Sequence, residues 1–208
     1  MSLHIPSFFI KRHLFHDMAN KKDSILETTI KHIAIYGDSF STERIAGDVG
    51  CSQSLIFRYY HNKEELMRMC FDNICHDILE VLKNISFPLE VTPDSIDNYI
   101  LEMWDAYMMY LESNEHKAKT YVFFINRGYR YPTGYLNPNM VVRKILGDEY
   151  DVVTKMCPDF VFKSGYIIIM SNLIVSSDFK KWFTDIEELD LKVRNVISHG
   201  IMHNNREA

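Results

Sequence analysis

The 208-residue chain is 47% hydrophobic and 25% charged, the proportions of an ordinary globular protein with enough length for one large or two small domains. Its net charge of −5 argues, as an average, against a nucleic-acid partner. The average is uneven, because residues 1–65 carry eight Lys and Arg against eight Asp and Glu while residues 66–208 carry fifteen against twenty. Any attraction to phosphate is therefore local and modest, and belongs to the N-terminal part. Cys51, Cys70, Cys75 and Cys157 lack zinc-type spacing, and reduced, partly buried thiols of a cytoplasmic protein are expected. Phe8-Phe9-Ile10 is too short for a secretory signal, and Tyr166–Met170 with Leu173–Val175 is too short to span a bilayer.

Residues 1–20 stand apart as an N-terminal arm or extension. Lys11, Arg12, Lys21 and Lys22 suit an arm that enters a minor groove, whereas Phe8, Phe9, Leu14 and Phe15 suit a helix or tail lying against the protein. A first helix is predicted from about Lys22 to Tyr36. Its apolar stripe combines Ile25, Thr29 and Ile33 with Leu26, Ile30 and Ala34, and Gly37 ends it. Phe40 is expected to close a small core.

Residues 42–66, TERIAGDVGCSQSLIFRYYHNKEEL, then give the strongest signal in the chain. Thr42 is a predicted cap for a short helix with Ile45, Ala46 and Val49 on one face. Gly50 supplies the left-handed backbone that ends a helix sharply. Ser52 caps a second helix, and Asn62 caps a third that runs from Lys63 to about Asn84 with Leu66, Met69, Cys70, Ile74, Ile78 and Leu82 inside. Two short helices around a tight Gly-containing turn are a means of presenting one helix end to the major groove.

The same residues carry a family resemblance. Thr42, Ile45, Ala46, Gly50, Ser52, Phe57, Tyr60, Lys63, Glu64 and Leu66 resemble, at matching spacing, the DNA-binding module of the tetracycline-repressor (TetR) family of bacterial transcription regulators. The likeness covers roughly residues 22–70. It implies an all-α fold, with a helix-turn-helix domain over residues 21–66 and an effector-binding and dimerisation domain over residues 67–208. It also implies a homodimer on a palindromic operator in double-stranded DNA, and a repressor released by a small-molecule ligand. The family usually has Tyr where this chain has Phe57, whose missing hydroxyl generally meets phosphate.

Within the motif, Ser52, Gln53 and Ser54 occupy the helix end expected to meet base edges, and Gln53 is the best candidate for reading adenine through its amide. Leu55 either touches a thymine methyl or faces the core. Thr42, Arg58, Tyr59 and Lys63 are expected phosphate binders; for Lys63 the alternative is a solvated surface charge.

Thr92-Pro93-Asp94 supplies a cap, a Pro at the first helical position and an acidic first turn for a helix over about 94–113. Another helix is predicted over about 115–127, a loop over 126–139, a short helix over 140–147, and a helix from Pro158 to about Ser177. Thr184-x-x-Glu187 is a capping-box pattern for a final helix to about Met202. The helices over about 158–177 and 185–202 are apolar enough to form either a two-fold interface or an intrachain core. Trp104, Tyr107, Met108, Tyr121, Phe124, Tyr166 and Met170 form an aromatic and Met-rich set, suited either to packing or to a largely apolar effector, with Glu102, Asp105 and Asn172 as polar partners. His199 and His203 stand four apart without a third ligand, so no metal and no cofactor are expected. No nucleophile elbow, phosphate loop or HExxH is present, and an enzyme is not expected. A helix-turn-helix protein whose larger half binds a protein partner, with no small-molecule effector, is the alternative function.

Overall fold

The computed structural model describes residues 7–129, 143–160, 163–164 and 190–198, with side chains from residue 21 onward. Every regular element in these residues is a helix, and the fold is all-α. The chain divides into two compact units, Met1–Phe71 and Asp72–Ala208, with the boundary inside one long helix.

In the first unit, α1 runs Ser7–Tyr36, α2 Thr42–Val49, α3 Gln53–Tyr60, and α4, Lys63–Lys83, begins. The helix expected to start near Lys22 extends back to Ser7. Its sequence explains this, since neither Gly nor Pro interrupts residues 7–36. The predicted stripe is the buried one: Ile25, Leu26, Thr29, Ile30 and Ile33 are all inside, with Ala34 half-buried. Thr29 satisfies its hydroxyl by donating to the Ile25 carbonyl at 2.7 Å, so a polar side chain sits in the apolar stripe at little cost. Buried with that stripe in the same unit are Phe40, Ile45, Ala46, Ile56, Tyr60, Leu66, Met67 and Cys70, whose thiol meets the Leu26 carbonyl. Each fully buried aliphatic side chain contributes on the order of 1.5–3 kcal/mol.

The caps decide where the short helices start and stop. Gly50 is left-handed at φ 65°, and the Gly50 and Cys51 amides reach back to the Gly47 and Ala46 carbonyls at 3.1 and 2.8 Å. Those two bonds satisfy carbonyls that the end of α2 would otherwise leave open. Ser52 is extended and accepts from the Leu55 amide at 3.2 Å, and Asn62 accepts from the Glu65 amide at 2.8 Å, so both are the predicted caps. Thr42 is not a cap. Ser41, extended at φ −110°, accepts from the Arg44 amide at 3.4 Å, which makes Thr42 the first helical residue and leaves its hydroxyl for another partner. In α4, Met69 and Leu82 are only half-buried, contrary to expectation. The inward face uses two parallel rows at i, i+4 spacing, Leu66, Cys70, Ile74 and Ile78 beside Met67, Phe71, Cys75 and Leu79.

The second unit takes the rest of α4, α5 (Pro93–Ser113), α6 (Glu115–Asn126), α7 (Tyr150–Met156) and a helical segment over 190–198. Thr92 and Ser95 bond reciprocally, side chain to backbone, at 3.1 and 2.9 Å, and Pro93 takes the first helical position. Ile96, Ile100, Met103, Trp104, Tyr107 and Leu111 are buried along α5, with Met108 half-buried. Asp77 on α4 accepts from Lys117 at 2.7 Å and from Tyr110 at 3.3 Å, tying α4 to α6 and α5. Buried Lys163 donates to both oxygens of Asp97 at 2.5 and 2.6 Å and pairs with Asp159 at 3.0 Å. Burial alone would lower the Lys163 ammonium, but the bonds to Asp97 and Asp159 more than offset it and its pKa is raised. Of the remaining predictions, 143–146 is helical, α7 was not anticipated, and residues 130–142, 165–189 and 199–208 lie outside the described residues.

Gly47 inside α2 and Gly50 just past its end are predicted to respond oppositely to Ala. A Cβ meets nothing within 4 Å at either position. At Gly47, an exposed helix interior, Ala removes unfolded-state freedom and stabilises by about 0.5–1 kcal/mol. At Gly50 the left-handed backbone costs about 1–2 kcal/mol, and urea denaturation of both variants reads the difference.

Alkaline stability follows from the buried thiols. Burial, then Glu27, pushes the Cys70 thiol well up; burial, then Asp72, does the same to Cys75. Because the unfolded chain releases these protons first, their contribution is full below about pH 8.5 and is lost as pH rises toward the folded values. Stability should therefore fall above about pH 8.5 by up to ~1.4 kcal/mol per pH unit per group. Cys70→Ala should remove one proton from that slope, measured by denaturation between neutral and alkaline pH.

Candidate nucleic-acid interface

Ile56 is fully buried and Tyr60, one turn later, is 1% exposed, so the inward face of α3 is fixed. At 100° per residue, Ser54 and Arg58 lie almost opposite Ile56, and Ser52, Gln53, Ser54 and Arg58 are all exposed. The predicted reading end of the helix thus faces solvent at the N-terminus of α3, where unpaired amides favour an anion. Leu55, Phe57 and Tyr59 are half-buried and form the shoulders of that face.

The polar side chains are already organised. Ser52 and Ser54 share a hydrogen bond at 2.9 Å between their hydroxyls, and the Gln53 amide nitrogen donates to Thr42 Oγ1 at 2.6 Å. Thr42 is buried, 8% exposed, at the start of α2. Lys63 Nζ donates to the Asp38 and Phe40 carbonyls at 2.8 and 3.0 Å and lies 4.0 Å from the Phe40 ring centroid. An ammonium has three donors, so two are committed to the α1–α2 connection. These carbonyls also explain a cation at a helix N-terminus, a place where the helix dipole disfavours one.

Sequence reasoning missed the braces behind this face. Lys21 donates to the Val49 carbonyl at 2.9 Å, closing the end of α2, and Tyr60 donates to the Lys22 carbonyl at 2.9 Å while Lys22 lies over its ring. Burial, then nearby Cys70, Asp23 and Tyr59, pushes the Tyr60 phenol well up and keeps it a neutral donor. His32 on α1 bonds through Nε2 to Asp48 on α2 at 2.7 Å; a carboxylate only accepts, so Nε2 carries the proton. Arg44 is exposed on α2 and stacks over Tyr36 at 5.9 Å, a cation beside the interface that the motif does not flag. Its one available signal was its place on the polar face of α2. Arg58 likewise stacks over Tyr59 at 5.8 Å.

In the second unit, Trp104, Tyr107 and Phe124 of the aromatic set are buried, while Met108 and Tyr121 are half-buried. Trp104 Nε1 donates to Asp190 at 2.9 Å, Arg194 donates to Asp190 at 2.8 Å, and Arg194 also bonds Asp105. Asp105 is therefore engaged by protein, Glu102 is exposed, and Tyr166, Met170 and Asn172 lie outside the described residues. So do His199 and His203. Among the described residues no group of three His, Cys, Asp or Glu side chains is gathered to hold a metal, and no helix is long and apolar enough to cross a membrane.

No family model matches the chain, and no curated protein matches it in sequence. Its structure is similar to a solved structure from Shewanella sp. PV-4, provisionally described as a tetR family transcription regulator. The likeness has a TM-score of 0.58 at 16% identity, and covers 85% of this chain and 93% of that one. The chain shares that fold.

Two substitutions test the local geometry by stability alone. Ser52→Ala should cost about 1 kcal/mol through loss of the α3 cap. Lys63→Met keeps the stem over Phe40 but loses both carbonyl bonds, and should cost about 1–2 kcal/mol. Urea denaturation reads both; an unchanged midpoint for Lys63→Met would mean that the brace contributes nothing in solution.

Proposed function

We propose that the chain is a TetR-family regulator that binds a palindromic operator in double-stranded DNA as a homodimer. In this reading it acts in the cytoplasm as a repressor, and a small, largely apolar effector releases it. The observation that carries the reading is the exposed start of α3, where Ser52, Gln53 and Ser54 stand on a helix whose opposite face is fully buried. A helix held this way reads bases with its first turn. Gln53 is the base reader, Ser52 and Ser54 flank it, and Arg58, Tyr59 and the remaining Lys63 donor meet phosphate, whereas Thr42, expected to do so, is buried with its hydroxyl engaged by Gln53. Phe57 packs at the shoulder of the helix without the phosphate contact of the usual Tyr.

The 21–66 module and the 67–208 region divide the work in this reading. The latter dimerises through helices over about 158–177 and 185–202 and takes the effector near Trp104, Tyr107, Met108, Tyr121, Phe124, Tyr166 and Met170. Operator and effector then select different dimer geometries, so each weakens the other's binding by the same coupling energy.

Selection of bound sequences from random duplex DNA tests the reading. The winner should be a palindrome bound about 10³-fold or more tightly than scrambled DNA at physiological salt. Gln53→Ala should lose about 1–3 kcal/mol of discrimination at one base pair per half-site. Arg58→Ala should weaken all sequences alike and reduce the salt slope by about one. Equal, weak binding to both duplexes would sink the assignment and bring forward a protein partner for the larger region.

A further inference from the structure

We propose that Thr42 is the positioning residue that sets how Gln53 presents its amide to a base, an inference that rests on the DNA-reading assignment above. The Gln53 amide nitrogen donates to Thr42 Oγ1 at 2.6 Å, across eleven residues and from the first turn of α3 to the first turn of α2. The two partners differ in rigidity. Thr42 is buried at the head of a helix anchored by fully buried Ile45 and by Ala46, and its β-branched side chain has few rotamers. Gln53 is exposed, and a free Gln side chain samples many. Thr42 is therefore the post and Gln53 the arm it holds.

The capping pattern is what makes Thr42 available. Ser41 supplies the oxygen that caps α2, so the Thr42 hydroxyl is not used on its own helix. Ser52 and Ser54 bond each other rather than Gln53. Among the described residues the Gln53 amide makes no other hydrogen bond. A carboxamide has two N–H groups, one beside its oxygen and one directed away from it. In the proposed arrangement Thr42 takes the one directed away. Oε1 and the neighbouring N–H then remain as a ready pair, the pair that matches the N6 donor and N7 acceptor of adenine in the major groove. Holding the amide in that orientation before contact removes an ordering cost that the correct base would otherwise bear, and it stops the amide from flipping to suit a different edge.

The test compares full-length wild type, Thr42→Val, Thr42→Ser and Gln53→Ala in selection from random duplexes. Titrations at several salt concentrations against the winner and its single-base variants follow. Gln53→Ala identifies the base pair that Gln53 reads, expected to contain adenine. Thr42→Val, which keeps the shape without the hydroxyl, should lose about five- to tenfold in discrimination at that base pair while other positions and the salt slope stay unchanged. Thr42→Ser should restore it. Full discrimination in Thr42→Val overturns the proposal. So does uniform weakening with a shallower salt slope, which makes Thr42 a phosphate contact only. A wild type that enriches no sequence removes the DNA-reading assignment and this inference with it, whereas an enriched palindrome with an indifferent Thr42→Val removes this inference alone.

A second measurement needs no variant that must fold. Gln53 is the one glutamine in the chain, so labelling glutamine side-chain amides gives a single pair of nuclear magnetic resonance signals. In the free wild-type protein these should show an ordered amide with slowed hydrogen exchange. A freely averaging amide would overturn the proposal.

Discussion

The left-handed backbone at Gly50 is the constraint on which the N-terminal unit depends. It lets two consecutive amides turn back onto α2, at 3.1 and 2.8 Å, so the helix ends with its carbonyls satisfied and the chain leaves in a new direction within three residues. Ser52 is then in place to start α3. With that direction set, Ile56 and Tyr60 must bury, and the opposite positions have nowhere to go but solvent. The exposure of Ser54 and Arg58 is thus a consequence of one backbone torsion and two apolar side chains. No feature of Ser54 or Arg58 themselves is needed to explain it.

Local chemistry accounts for what could be read in advance. Gly50, Ser52, Asn62 and Thr92 act on amides or carbonyls within a few residues of themselves, and each does what its residue type and position indicate. The stripe of α1 was equally legible, because burial at i, i+4 spacing depends only on helix geometry. Some local readings still went astray, among them two helix starts. Ser41 and Thr42 are both competent caps, and periodicity alone does not choose between neighbours. No Gly or Pro stands between Pro6 and Gly37 to mark a start near Lys22, and the helix extends back to Ser7. What the sequence could not reveal is contact across distance: Gln53 to Thr42, Lys63 to Asp38 and Phe40, Lys21 to Val49, Lys163 to Asp97. None of these pairs shares a helix, and no spacing rule links them.

Those long-range bonds alter the electrostatics of the candidate interface. A count of charges gives residues 1–65 no net positive charge, and the structure removes more of what a phosphate could use. Lys21 and Lys63 are bonded to backbone carbonyls, Lys22 lies over Tyr60, and Arg44 and Arg58 stack on tyrosines. Cations engaged with carbonyls or rings keep their charge but lose donors and freedom of reach. They act as fixed posts, and a fixed post meets a phosphate only where the duplex geometry places one.

A surface of this kind exchanges reach for register. A module rich in free lysines grips any duplex, because counterion release rewards every neutralised phosphate regardless of sequence. One with few cations, most of those described already held, has little non-specific affinity, so the balance shifts toward contacts that require the correct fit. Gln53 held by Thr42 follows the same logic on the proposed base-reading side. Weak general attraction and stiff side chains together imply that one such surface alone binds feebly. Two copies joined at a fixed separation make the second contact effectively intramolecular, gaining affinity only where both half-sites lie at the matching spacing. On these grounds the charge and rigidity of the N-terminal unit support the two-fold assembly of the proposed function without appeal to the apolar helices near the C-terminus.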